Sequence, residues 1–190
     1  IAPYGVLRGL SQGAFSMEPK DKITDIESLY DSYLGFTKGL RHKDTVIWAK
    51  HNIMERVYYL YSSIVNGTYR IARYNQVRIT FPKQRVALTS LKDRVFQRSL
   101  VDNYFYNELT RHFVHENCAC LKGKGTDYAR GLFKKQLISA KVKYGTTDVY
   151  ALKCDVHHFF ESIDHKIMEK LLDKYIRDPW VRSETMRVVN

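Results

Sequence analysis

The nearly continuous apolar run from Val149 to Val156 constrains this chain more than any other feature, because it delivers a carboxylate. Such a run, bounded by turn signals, predicts a strand buried on both faces. Tyr150-Ala-Leu-Lys-Cys-Asp155 then places Asp155 at the strand's end. His157, His158, Phe159 and Phe160 follow, and Asp164 caps a helix. A carboxylate at the edge of a buried strand is costly unless it is paired or bound to a metal. Taken alone, Asp155 reads more simply as a cap into the next helix.

The rest of the chain predicts a mixed α/β (α+β) architecture. Residues 1–22 hold Gly5, Gly9, Gly13, Pro3 and Pro19 without a sustained period, and read as a lead-in. A short helix is expected from Ile23 to Leu40. Residues 44–66 give the clearest helix, with Val46, Ile47, Ile53, Met54, Val57, Leu60, Tyr61 and Ile64 at three- and four-residue spacing. Lys50 interrupts that stripe, but its stem can lie along it. Asn66-Gly67 ends the helix.

The period then changes to two. Val77-Arg-Ile-Thr-Phe81 alternates like a half-buried strand, Pro82-Lys-Gln-Arg85 turns, and Val86-Ala-Leu88 returns as a hairpin partner. Ser90 caps a long helix from Leu91 to about His115. Cys118–Gly125 is a loop, and Thr126 caps a helix over 127–142. The helix carrying Ile167, Met168, Leu171 and Leu172 stops at Asp178-Pro179, where a last short helix follows.

Composition narrows the function classes. The apolar fraction of 44% and the 14 tyrosines belong to a folded protein. No run approaches the roughly 18 apolar residues of a membrane span, and residues 1–20 do not read as a signal peptide. Three cysteines, Cys118, Cys120 and Cys154, cannot all pair, which points to a reducing cytoplasm. The first residue is Ile, which suggests a start inside a longer chain.

The net charge of +11 is concentrated. Residues 69–98 carry +7 and residues 120–143 carry +6, so the remainder is slightly acidic. Two basic segments suit a polyanion such as nucleic acid or a nucleoside triphosphate, although a solvated charged face explains them equally well. Interleaved Tyr69, Tyr74, Phe81 and Phe96 favour nucleic acid, because rings stack on bases. His112, His115, Cys118 and Cys120 offer soft ligands for zinc. Their Cys-x-Cys spacing is tight for one tetrahedral ion, so this stands as a minor alternative.

Three ordered motifs carry a resemblance to a family. Asp155-Val-His-His-Phe-Phe160-Glu-Ser-Ile-Asp164-His165 resembles the first catalytic-aspartate motif of retroelement-type reverse transcriptases, which include group II intron, retron and diversity-generating enzymes. Phe81-Pro-Lys83-Gln-Arg85 through Asp93-Arg94-Val-Phe-Gln97 resembles their fingers segment. Asn117-Cys-Ala-Cys120-Leu-Lys122-Gly-Lys124-Gly-Thr126 resembles their template-side loop, with departures at Leu121 and Asp127.

The resemblance implies a helical fingers region over 23–147, with a basic hairpin. It also implies the first strand and helices of a polymerase palm over 148–190. The implied activity is that of an RNA-directed DNA polymerase, a nucleotidyltransferase. Asp155 and the Val156 backbone carbonyl would hold Mg²⁺, as two ions in the full enzyme with Mn²⁺ as a substitute. Lys83, Arg85, His157, His158, Phe159 and Phe160 would line the incoming deoxynucleoside triphosphate, with Phe160 excluding a ribose 2′-hydroxyl. Arg94, Lys122 and Lys124 would contact nucleic acid. The implied partners are an RNA template, a DNA primer and a cognate structured RNA. The chain ends 35 residues after Asp155, before a second acidic motif, so it is expected to be inactive alone. The alternative is a non-catalytic RNA-binding module derived from such an enzyme.

Overall fold

Asp25 breaks the first helical stretch in two. Its extended backbone (φ −56°, ψ 142°) ends α1 (Pro19–Thr24), while its carboxylate accepts the amides of Glu27 and Ser28 at 3.0 and 3.2 Å to cap α2 (Ile26–Thr37). The computed structural model describes residues 17–38, 51–79, 84–145 and 148–189, with backbone alone at 77–79 and 84–88. Most of the lead-in, the first turns of the predicted 44–66 helix, Thr80 and Phe81 of the predicted strand, and Pro82 and Lys83 of the turn lie outside the described residues.

The chain divides into two compact units, Ile1–Asn103 and Tyr104–Asn190. In the first, α3 (Ile53–Val65) buries Val57, Leu60 and Ile64 of the predicted stripe and leaves Met54 exposed. Gly67 closes it at φ 68°, where an L side chain would be strained. Strands β1 (Asn75–Ile79) and β2 (Gln84–Leu88) pair antiparallel, with Val77 opposite Val86 and Arg78 opposite Arg85. Then α4 (Leu91–Leu100) begins at Ser90, whose hydroxyl accepts the Asp93 amide at 3.3 Å.

Helix α2 packs on α3 and α4, and α1 packs on all three. They enclose Ile23, Leu29, Tyr33, Val95, Phe96 and Leu100, all buried. Fully burying each such side chain contributes about 1.5–3 kcal/mol. The Ser99 hydroxyl donates to the Ile23 carbonyl at 2.5 Å, tying α4 to α1. Burial pushes the Tyr33 phenol above its ordinary value of 10.0, partly opposed by the Arg56 charge.

The predicted 91–115 helix is not uniform. A π-helical turn, Val101–Phe105, follows α4, and α5 (Tyr106–Thr110) stops five residues before His115. The apolar face expected for that helix by period (Leu91, Val95, Leu100, Val101, Tyr104, Phe105, Leu109 and Phe113) is not kept throughout: Val101 and Phe113 are exposed, and Phe113 lies beyond the end of α5.

In the second unit, α6 (Thr126–Tyr144) starts one residue earlier than predicted, with Thr126 inside it. It ends at Gly145, which takes the left-handed conformation and donates to the Lys141 carbonyl at 2.9 Å. Helix α7 (His165–Tyr175) begins at Asp164, whose carboxylate accepts the Lys166 and Ile167 amides at 2.8 and 3.3 Å. It packs on α8 (Pro179–Val189), whose first turn the Asp178 carboxylate caps by accepting the Val181 amide at 2.8 Å. The small core here comprises Tyr104, Ile176, Val181 and Thr185.

One expectation is overturned. Residues 149–156 form no strand; they run without regular structure, and all of them are exposed. A strand exists only when a neighbour supplies its ladder bonds. Among the described residues the only sheet is the β1–β2 hairpin, so the molecule is predominantly helical and fits an α/β class loosely. Among the described residues, no helix is long and apolar enough to cross a membrane.

Candidate nucleic-acid interface

The segment carrying Asp155 is a surface turn. The Asp155 carboxylate accepts the neighbouring Val156 amide at 3.1 Å. His158 takes a left-handed conformation (φ 48°), which bends the chain back so that the Ser162 amide reaches the His158 carbonyl at 2.9 Å. The Ser162 hydroxyl adds a bond to the Phe159 carbonyl, also at 2.9 Å. These bonds hold Phe159 and Phe160 edge to face, ring centroids 5.5 Å apart, with Phe160 82% exposed. The His157 and His158 rings meet at 4.0 Å, and His158 Nδ1 lies 3.9 Å from Glu161. A non-glycine residue with positive φ inside an exposed aromatic turn is uncommon.

The basic loop before α6 has more internal order than its glycines suggest. The Lys122 amide donates to the Tyr106 hydroxyl at 2.7 Å, and its ammonium lies 4.9 Å from the centre of the same ring. The Lys124 ammonium donates to the His115 carbonyl at 2.7 Å and lies 5.1 Å from the centre of the Tyr128 ring. Cys120 and Gly123 take positive φ, which lets the loop fold tightly. Each lysine is therefore held over an aromatic face, an arrangement worth roughly 0.5–1 kcal/mol at an exposed site. The two pairs place cations and rings together, the combination that single-stranded nucleic acid uses. Tyr106 and Tyr128 escaped the sequence reading. The signal for Tyr106 was faint: it lies just past the π turn, off the predicted apolar face.

In the first unit, the Arg94 Nε donates to Thr89 Oγ1 at 2.8 Å, and its guanidinium stacks 5.3 Å above the Phe36 ring. Arg94 is thus partly engaged in holding the start of α4. Arg85 pairs with Arg78 in the strand register, and Lys83 is outside the described residues. The two basic segments belong to different compact units.

No group of three or more His, Cys, Asp or Glu side chains converges among the described residues. His112 instead packs its ring on Tyr175 at 4.9 Å, and the three cysteines are free, so the zinc alternative gains no support. Asp155 and the Val156 carbonyl supply one carboxylate and one neutral oxygen. By themselves they do not make a site for a pair of Mg²⁺ ions, which needs bridging carboxylates.

The chain matches no protein-family model and no curated protein.

Proposed function

We propose that this chain contributes the fingers and the first part of the palm of a retroelement-type reverse transcriptase. The observation that carries this reading is the exposed apolar run ending on Asp155. Leu152 is 90% exposed, and Val149, Tyr150 and Val156 lie at the surface with it. Soluble proteins seldom leave such a run bare unless another segment covers it. A carboxylate and two outward phenylalanines come directly after it, which is the order that the resemblance implies for a polymerase active site.

The roles follow from chemistry. Arg85 presents a planar fork to phosphate oxygens, and Lys83 adds a mobile charge. Phe160 stands beside the sugar, while His157, His158 and Phe159 line the nucleotide. Lys122 and Lys124 neutralise template phosphates, with Tyr106 and Tyr128 offering stacking faces. Arg94 supports the nucleic-acid side of the fingers. Mg²⁺ would supply charge neutralisation at the reacting phosphate. These residues position substrates and balance charge, which is most of what phosphoryl transfer requires. Asp155 is a single carboxylate, and a two-metal transfer needs bridging carboxylates beside it.

Primer extension on an RNA template by the complete protein tests the proposal. Asp155→Asn should abolish extension while RNA affinity stays within about twofold, because a lone exposed carboxylate adds little to RNA binding. Unimpaired extension by that variant removes the metal role from Asp155. A complete wild-type protein that binds RNA and never extends a primer is the RNA-binding module instead. Phe160→Ala should raise ribonucleotide incorporation, and unchanged sugar selectivity ends the gate assignment.

A further inference from the structure

Asp93 is a fully buried carboxylate at the first turn of α4, with 0% exposure. Three donors converge on it. The Tyr69 hydroxyl reaches Oδ1 at 2.7 Å; the Ala72 amide and the Ser90 hydroxyl reach Oδ2 at 3.0 and 2.6 Å. The Ala72 amide can only donate, and the Ser90 hydroxyl already accepts the Asp93 amide, so two accepting oxygens at this position serve all three partners. An amide keeps one accepting oxygen and turns an N–H toward the remaining donors.

The positions of those donors give the cluster its meaning. Tyr69 and Ala72 belong to the stem entering β1, and Ser90 ends the stem leaving β2. Both ends of the hairpin are therefore bonded to one side chain. The entering stem is fastened further where the Tyr69 amide meets the Ser63 carbonyl at 2.8 Å and where Lys92 donates to the Arg70 carbonyl at 3.0 Å. The Tyr69 ring packs edge-on against Phe96, 5.0 Å between centroids. Thr89 at the exit is held by Arg94. The hairpin is thus a rigid-based arm, its base set on the most deeply buried part of the first unit.

We infer that Asp93 is a positioning residue: it sets the base of the basic hairpin, and through it the strand residues Arg78 and Arg85, for binding a polyphosphate. This rests on the reading of the hairpin as a phosphate clamp. Asp93 touches no substrate and acts only through Tyr69, Ala72 and Ser90.

Two measurements on the 190-residue chain test it. Amide hydrogen exchange reads the latch. In Asp93→Asn the Ala72 amide should exchange about tenfold faster, while amides at the end of α4 keep their rate. Unchanged protection at Ala72 overturns the latch. Titration with inorganic tripolyphosphate reads the consequence. Asp93→Asn should weaken binding about tenfold, and should weaken it no further when Arg85→Ala is already present, because coupled residues are not additive. Full additivity overturns the positioning role. Tyr69→Phe keeps the ring on Phe96 and removes only the hydroxyl, so it should shift affinity in the same direction by about threefold, in a chain that circular dichroism shows to be folded. A tripolyphosphate affinity that Tyr69→Phe leaves unchanged also overturns the positioning role. A wild-type chain that binds no tripolyphosphate overturns the clamp reading and the role given to Asp93, whereas fast Ala72 exchange in that case still shows the bond at the hairpin's base.

Discussion

The two units use similar sequence patterns to different ends. In the first, the period of apolar residues and the burial agree: Ile23, Leu29, Val57, Leu60, Val95 and Phe96 all lie in a shared core. In the second, α6 carries Leu132, Phe133, Leu137, Ile138 and Val142 along its 19 residues and buries none of them. The run from Val149 to Val156 is equally bare. Apolar pattern states a need for a partner. In the second unit the described residues supply one around Tyr104, Ile176 and Val181, but none for α6 or for the 149–156 run.

The contrast can be broken by substitutions, and the largest effect belongs to Phe96. Phe96→Ala should cost about 3–5 kcal/mol in urea unfolding, because a fully buried ring leaves a cavity. A cost under about 1 kcal/mol would mean that the first unit is loosely packed, since such small values belong to surface sites.

Removing caps should cost less. Asp25→Ala and Asp164→Ala each lose a carboxylate that accepts two amides, at about 1 kcal/mol apiece. The comparison sharpens if the loss at Asp25 lowers global stability while the loss at Asp164 melts only α7, which circular dichroism and amide exchange would separate.

Alkaline titration gives a smaller effect. Tyr33 has a raised pKa when folded, so the unfolded chain gives up this proton first. The stability it contributes is whole below the ordinary value of 10.0 and is lost as pH rises through the folded value. Tyr33→Phe should flatten that decline in thermal unfolding. The smallest effect is Leu152→Ser, which should stay within about 0.5 kcal/mol because the side chain is already in water. A larger loss would show that the run is buried in solution.

Much of the first unit was legible because its signals are local. The stripe from Ile53 to Ile64, the Gly67 stop, the Ser90 cap and the hairpin period each depend on neighbours in sequence. Asp25 was missed because Ile23, Ile26, Leu29 and Tyr33 keep one helical period across it, which hid a capping residue in plain sight. The π turn leaves no trace in composition and changes only the phase of the residues after it. The failed strand at 149–156 has a different cause: ladder bonds come from a distant segment, and no periodicity records whether one is present. The site divides likewise. Asp155, Phe160, Lys122 and Lys124 are named from the motifs that carry the family resemblance, and their roles stand as proposals. Asp93 stands out in the sequence only as part of an Asp-Arg pair, since two of its three donors sit 24 and 21 residues upstream at Tyr69 and Ala72.

The bare run has one practical consequence through Cys154, which lies beside Asp155 as an exposed, free thiol. It is a built-in footprinting handle. In this chain a maleimide should label Cys154 readily, and any segment that lays a strand against Val149–Val156 should slow that labelling. Because Cys120 is exposed as well, the rate is read at Cys154 by peptide mass; it would report when the run changes from bare surface to sheet, without a single residue being altered.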